Sequence, residues 1–352
     1  AGPRRARVAA DAATRSTVVC MGESLFDLIA DQQGLAREEV QSWTPFAGGA
    51  PCNVATALGK LGMDVVLVTA LGNDQPGKDL MEILKGANVR TDAIQHRTEP
   101  TRDVFVTRSN DGDREFSGFG SPADSYCDCF LDTDALPMED IKAAGVFVCG
   151  TLGLAYPETR KAMKAAVQAA KEGGCTVLID VNWRPVFWAD HEEARREIMP
   201  FLQSADLLKI SDSDLDWLLG MTLDTAFINP CAVRAPFPNS IGVLVTAGEE
   251  GSAYCFSGPS GEVSGFVPVF KVSAVDTTGS GDCFTAGFIY RMLAAGGPAA
   301  LAADVKALKK TIVFASASGA LTATRKGAIE GQPKLSECEE LAATAEQWHN
   351  FW

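Results

Sequence analysis

Residues 276–284 read DTTGSGDCF and set a carboxylate, Asp282, at the end of a glycine-rich turn that runs into the apolar helical stretch FTAGFIYRML. Gly279, Ser280 and Gly281 leave backbone N–H groups exposed, and a helix N-terminus adds the positive end of its dipole, so the turn suits an anion. A carboxylate beside an anion site can take the proton of an attacking hydroxyl while negative charge is received next to it. Alone, Asp282 reads better as a first-turn residue stabilised by the dipole. Two common nucleotide motifs are excluded: there is no GxxxxGK followed by Ser or Thr, and GxGxxG fails because position 284 is Phe.

A second group lies in FAGGAPCNVATALGKLG, where Gly48 and Gly49 permit close backbone approach and Asn53 can both donate and accept hydrogen bonds. A polyol needs partners of both kinds. Asp27, in GESLFDLIA, adds a carboxylate able to accept from two hydroxyls, although a surface strand position explains it as well. Several apolar runs end in a polar group: Thr151, Asp180, Ser211 and Thr246. In open α/β sheets, ligands sit outside the carboxyl ends of strands, so these residues line one rim.

The elements that must carry these groups follow from the hydrophobic pattern. From residue 17 the chain alternates short β-rich runs with helical patterns, TVVCMG then NVATALGKLG, VVLVTA then PGKDLMEILKGA. GVFVCG, CTVLID, DLLKI and GVLVTA continue the series as near-continuous apolar runs, the mark of strands buried on both faces of a parallel sheet. Helices should therefore cover both sides, giving an α/β fold with a mostly parallel central sheet. Residues 28–47 and 98–127 break the alternation. The second segment holds two β-like runs around an Asn-Asp-Gly turn signal, and both segments are expected as antiparallel strands of a small lid. Residues 221–240, with prolines and little periodicity, read as a surface loop.

Composition narrows the function classes. The chain has 352 residues, 46% of them hydrophobic, enough for one large α/β domain spanning 17–352 with a lid. A net charge of −14 argues against direct nucleic-acid binding. No run is long enough for a membrane span. Ten cysteines are scattered without a CxxC pair, and read as buried free thiols in a reducing compartment; Cys127 and Cys129 form a CxC, read as an incidental loop pairing ahead of a redox pair. Residues 1–16 carry Arg4, Arg5, Arg7 and Arg15 against one acid. They are expected to be a disordered tail, the remnant of a plastid transit peptide.

Taken together, GGAPCNVA and DTTGSGD, in that order, resemble the two signatures of the ribokinase-like, or pfkB, carbohydrate kinases, the fructokinase branch in particular. The resemblance runs from about Val18 to Pro333, with smaller echoes in GNDQPGKDL, DVNWRPVFW, VTAGEEGS and GALTATRKGAI. It implies a three-layer Rossmann-like sandwich with a β lid and ATP-dependent phosphorylation of a sugar hydroxyl. Asp282 would be the base and Gly279, Ser280 and Gly281 the anion hole, with Asp27, Gly48, Gly49 and Asn53 holding the sugar. It also implies nucleotide contacts from Asp180, Asn182, Arg184, Lys209, Ser211, Thr246, Gly248, Gly251 and Ser316, Mg²⁺ on the ATP phosphates, potassium near ASASGALTATRKGAI, and a homodimer through the lid.

The chain departs from the family pattern at several positions. Ser211 and Asp214 stand where an Asn-x-x-Glu motif is usual, with Asp214 expected to reach Mg²⁺ through water. Gly120 stands where fructokinases place an Arg, Ser280 replaces Ala and Ser316 replaces Asn. These changes motivate a second reading, a fructokinase-like protein kept as an interaction or regulatory subunit in a plastid complex. A nucleoside kinase is a third.

Overall fold

The computed structural model describes residues 15–110 and 114–345. Residues 1–14 of the expected tail and the Asp-Gly part of the turn signal at 111–113 lie outside them. Arg15, assigned to the tail, instead donates to the Lys142 and Gly173 carbonyls at 2.8 and 2.9 Å.

In chain order the strands are β1 (Val18–Met21), β2 (Leu25–Ala30), β3 (Trp43–Gly48), β4 (Val65–Val68), β5 (Ala70–Gly72), β6 (Val89–Arg90), β7 (Gln95–Arg97) and β8 (Arg102–Arg108). They continue as β9 (Arg114–Phe119), β10 (Val146–Cys149), β11 (Thr176–Asp180), β12 (Leu207–Ser211), β13 (Gly242–Thr246), β14 (Ser252–Gly258) and β15 (Gly261–Val267). Among the described residues the main sheet has nine strands in the order β15-β14-β13-β12-β11-β10-β1-β4-β6. Every pairing from β13 to β6 is parallel, and only β14 and β15 join antiparallel.

Alternation along each strand feeds two separate cores. Val19, Met21, Phe147, Cys149, Val177, Ile179, Leu208 and Ile210 pack in one core, which includes residues of the helices Pro157–Gly173, His191–Leu202 and Asp212–Leu219. Val18, Cys20, Val146, Val148, Leu178 and Leu207 pack in the other, with the helices Ala50–Lys60, Ser280–Ala294 and Val305–Ala323. Helices thus cover both faces, which is why the strand sequences show no polar alternation.

The second sheet has the order β3-β2-β8-β9. It matches the lid segments with two differences. β2 begins at Leu25, and it pairs parallel with β8, so the lid is mixed where antiparallel strands were expected. Residues 127–129, where the second lid segment ends, form a buried 3-10 turn. Residues 221–240 are also corrected: the short helices Leu223–Ile228 and Pro230–Arg234 occupy much of that stretch, Pro230 starting the second from a position where its missing N–H costs nothing. The free-thiol reading fails at one pair, because Cys231 is disulfide-bonded to Cys255 across a Cα separation of 5.2 Å. Lack of CxxC spacing hid it, since β14 brings the second sulfur from another element. The other eight cysteines are free and buried; burial pushes the Cys129 thiol up to about 12 and Cys127 up as well, which leaves the CxC pair unreactive.

Candidate active site

Two compartments meet at the N-terminus of the helix Ser280–Ala294. Gly279 precedes that helix with φ of 76°, a left-handed turn that brings its Cα against Ala328, where a Cβ would lie 2.8 Å from the Ala328 side chain. The turn is thus fixed by close approach to the 325–331 segment as well as by its own backbone.

On one side a cavity of about 650 Å³ is lined by Lys209, Ser211, Thr246, Gly248, Gly251 and Ser316, expected as nucleotide contacts, together with Ser280 and Gly281 of the expected anion hole. Adjacent strands place its charged wall: Asp180 on β11 pairs in register with Lys209 on β12, and the carboxylate takes the ammonium at 3.0 Å. Burial pushes Asp180 up to about 6 against the pull of Lys209. Burial also works against the Lys209 charge, but the carboxylates of Asp180, Asp282 and Asp214 outweigh it and keep the lysine protonated. A Cβ added at Gly281 would stand 3.1 Å from Lys209 Nζ, so the ammonium and the exposed turn share one wall. The cavity also takes Asp212, Glu249, Ser252, Phe270, Val272, Thr277 and Phe284, which sequence reasoning missed; the apolar run FVPVFKV before the glycine turn was the available signal.

On the other side lies the candidate acceptor compartment. Asn53, in the helix Ala50–Lys60, donates from Nδ2 to Asp282 Oδ2 at 2.8 Å. That helix starts after Gly49, whose φ of 100° and near contact with the Glu23 carbonyl, 2.4 Å from an added Cβ, admit no side chain. Desolvation raises the Asp282 pKa above the ordinary carboxylate range, opposed by Lys209, the Asn53 hydrogen bond and Arg184. Asp27 lies opposite Phe46 on β3 and Val104 on β8. Desolvation pushes it up to about 6, Arg114 pulling hardest the other way. Gly48 leaves room for that carboxylate, since its added Cβ would stand 3.2 Å from Asp27 Oδ2. Glu23, which sequence reasoning passed over in GESLFD, accepts from the Ala50 N–H at 3.1 Å and is pushed up to about 7 by burial.

Three expected residues sit differently. Arg184 acts on the acceptor side: its charge lowers both Asp27 and Asp282, while its guanidinium donates to the Trp183 carbonyl at 2.8 Å. Asn182 holds the preceding loop with φ of 42° and does not line the cavity. Asp214 is fully buried: it accepts from the Trp183 N–H at 2.7 Å, the Ser211 N–H at 2.8 Å and Ser211 Oγ at 2.6 Å. Its carboxylate caps a helix and ties down the 181–184 loop, so the expected metal contact is corrected to a structural one.

At Gly120 an added Cβ would fall 2.3 Å from Asp103 Oδ2, and the Gly120 N–H donates to Asp103 Oδ1 at 3.0 Å. An arginine there would displace Asp103. The arginine that does reach the site from β9 is Arg114, which donates to Asp276 Oδ2 at 2.7 Å and to Thr278 Oγ1. Its signal was DGDREF itself. A cluster of Cys231, Cys255 and Glu262 has metal-like spacing, but the sulfurs bond each other and Glu262 pairs with Arg234.

Residues 15–335 match the pfkB family carbohydrate kinase. Fructokinase-1 of Zea mays is 35% identical over 335 residues, 95% of this chain and 100% of that protein. A probable fructokinase-6 of Arabidopsis thaliana, named as chloroplastic, is 34% identical over 332 residues, 93% of this chain and 83% of that protein. Among solved structures, the fructokinase of Xylella fastidiosa with bound ATP superposes with a TM-score of 0.82 at 28% identity, covering 95% and 100% of the two chains. A fructokinase double mutant from Vibrio cholerae, in a form with fructose, ADP and potassium ion bound, gives 0.78 at 25%, covering 93% and 98%. None of these similarities supports the reading as a non-catalytic interaction subunit.

Proposed function

This chain belongs to the pfkB family of carbohydrate kinases and is an ATP-dependent sugar kinase, and from that premise we propose that it phosphorylates a primary hydroxyl of a ketohexose, fructose above all, with Asp282 as the base. The observation that carries the assignment is the position of Asp282: hydrogen-bonded to Asn53 at 2.8 Å on the acceptor side, one residue from the cavity wall at Gly281 on the other.

Asp27 and Asn53 orient the acceptor, the carboxylate taking hydroxyl hydrogens and the amide supplying a donor and an acceptor. Asn53 Oδ1 is buried without a partner in the protein, a free acceptor at the point where a hydroxyl is expected. Asp282, its pKa raised by desolvation, accepts the proton as the hydroxyl attacks, a stronger base than an exposed aspartate. The N–H groups of the 279–282 turn and the Lys209 ammonium receive the charge spread over the phosphoryl oxygens. ATP supplies the phosphoryl group. Mg²⁺ fits the donor set as an ion held chiefly by phosphate and water, because Asp214 is engaged and Asp180 is paired with Lys209.

Potassium fits less well. Beside the 315–329 segment that the family resemblance assigns to it, the buried carboxylate is Asp276, already neutralised by Arg114. We assign potassium no role.

Pairing of two copies through the lid is part of the proposal. The face opposite Asp27 carries Leu28, Trp43 and Phe105, each half-buried, with the two rings 4.8 Å apart. Sedimentation of the full chain checks it. Plastid residence is proposed on the chloroplastic relative and the basic start, and imaging of a tagged full-length protein checks that.

The deciding experiment is ADP formation by the purified protein with Mg²⁺ over fructose, other hexoses, adenosine and inosine. Fructose-dependent turnover is expected. A preference for a nucleoside overturns the acceptor, and no turnover on any acceptor overturns the activity.

A further inference from the structure

Among the described residues, a charged lid side chain, Arg114, joins the lid to the catalytic turn through two polar contacts. Arg114 opens β9, one-third exposed, and reaches Asp276, whose side chain is 3% exposed. Asp276 stands three residues before Gly279. It also accepts from the Thr278 N–H at 3.0 Å and the Gly327 N–H at 2.9 Å, so it cross-links the start of the turn to the 325–331 segment. Gly327 directly precedes Ala328, the neighbour against which the left-handed Gly279 is fixed. A second nitrogen of the guanidinium binds Thr278 Oγ1, immediately before Gly279.

A carboxylate this deeply buried needs a compensating charge, and among the described residues Arg114 is its ion-pair partner. The same guanidinium is the cation that bears most on Asp27, the carboxylate proposed to grip the acceptor. One lid side chain therefore binds the root of the glycine turn while its charge also acts on Asp27.

We propose that Arg114 is a positioning residue for phosphoryl transfer: the guanidinium, carried by β9, clamps Asp276 and Thr278 when the lid lies over the acceptor and so fixes the turn that receives the transferring charge, in the place where a bound monovalent cation would otherwise balance Asp276. It touches no reacting atom. Its planar fork holds two partners at once, which a lysine ammonium does with less orientation. The proposal rests on the sugar-kinase reading for its kinetic part and on geometry alone for its structural part.

The test uses the full-length protein with Arg114→Gln and Arg114→Lys. Arg114→Gln is expected to lower kcat about 30-fold or more, with KM for ATP changed less than about 3-fold, and Arg114→Lys to restore a large part of kcat. Potassium is expected to leave the wild type unchanged and to raise the rate of Arg114→Gln. Amide hydrogen exchange over 276–281, measured without substrates, is expected to quicken in Arg114→Gln while exchange in β1, β10 and β11 stays as in the wild type. Unaltered exchange over 276–281 with an unaltered kcat overturns the proposal, as does strong potassium activation of the wild type. If the wild type turns over no acceptor, the kinase reading fails and the exchange result alone decides the clamp.

Discussion

The nucleotide cavity and the acceptor compartment share the Gly281–Asp282 junction but are built on different physics. The cavity is walled largely by backbone and small residues, Gly248, Gly251, Ser280, Gly281, Ser316 and Gly319, with Lys209, paired with Asp180, as its buried charge and Asp212, Glu249 and Lys271 exposed at its edge. The acceptor side gathers charges that act on one another, Arg114, Arg184 and Asp276 on Asp27 and Asp282 on Glu23, with Asn53 bonded to Asp282. A phosphate chain is recognised by N–H groups that any side chain would obstruct, whereas choice of a hydroxyl and removal of its proton need titratable groups held at raised pKa. Damage to the two sides should therefore look different.

The largest effect is expected at the junction. Asp282→Asn should keep the fold and ATP affinity and lose about 10³-fold in kcat, since only the proton acceptor is removed. Calorimetric ATP titration beside turnover checks the split, and a variant that keeps a tenth of wild-type kcat would remove Asp282 from the base role.

Next come the acceptor groups. Asn53→Ala and Asp27→Asn should each raise the acceptor KM by about 10- to 100-fold and leave the ATP KM within about 3-fold, the cost of one or two buried hydrogen bonds. Equal increases for both substrates would erase the contrast between the compartments.

The pH dependence sharpens the comparison further. Asp27, at about 6, and Asp282, also raised, must both be ionised, so kcat/KM should fall on the acid side with apparent values above the ordinary carboxylate range. Stability runs the other way. Glu23, Asp27 and Asp180 have raised pKa values in the folded protein, so the folded state holds their protons more tightly than the unfolded chain does. Their stabilising contribution is complete below the unfolded carboxylate pKa and is lost as pH rises through about 6 to 7. Glu23→Gln should accordingly melt a few degrees higher than the wild type at pH 8, with the gain shrinking toward pH 4. A gain that is equal at both values would disconnect it from ionisation.

The smallest effect belongs to the nucleotide rim. Ser211→Ala removes a cap hydroxyl bonded to Asp214 and should cost about 1 kcal/mol of stability, read by urea unfolding, with a modest change in ATP KM. A large loss of ATP affinity would give Ser211 a direct phosphate role.

Much of this was legible in the residues. Apolar runs such as VFVC and TVLI can satisfy their backbone and bury both faces only as inner parallel strands, and the order of GGAPCNVA and DTTGSGD specified the family. Gly48, Gly49 and the 279–281 turn could be named because only glycine and small residues tolerate such approach. The sequence by itself thus determined the sheet, the glycine turn that leads into a helix and the place of Asp282 in that helix's first turn.

Tertiary structure decided which charges meet. Asp214 reads as a metal contact until the 181–184 loop is laid over it. Arg184 reads as a nucleotide residue, and in the fold its charge also bears on Asp27 and Asp282. Arg114 and Asp276 lie 162 positions apart, and nothing in local pattern links a lid strand to a turn. Cys231 and Cys255 meet only because β14 folds back beside the helix that carries Cys231. Backbone preference and burial are local properties that a chain displays along its length, whereas the partner of a buried charge is chosen by the packing of segments far apart in sequence.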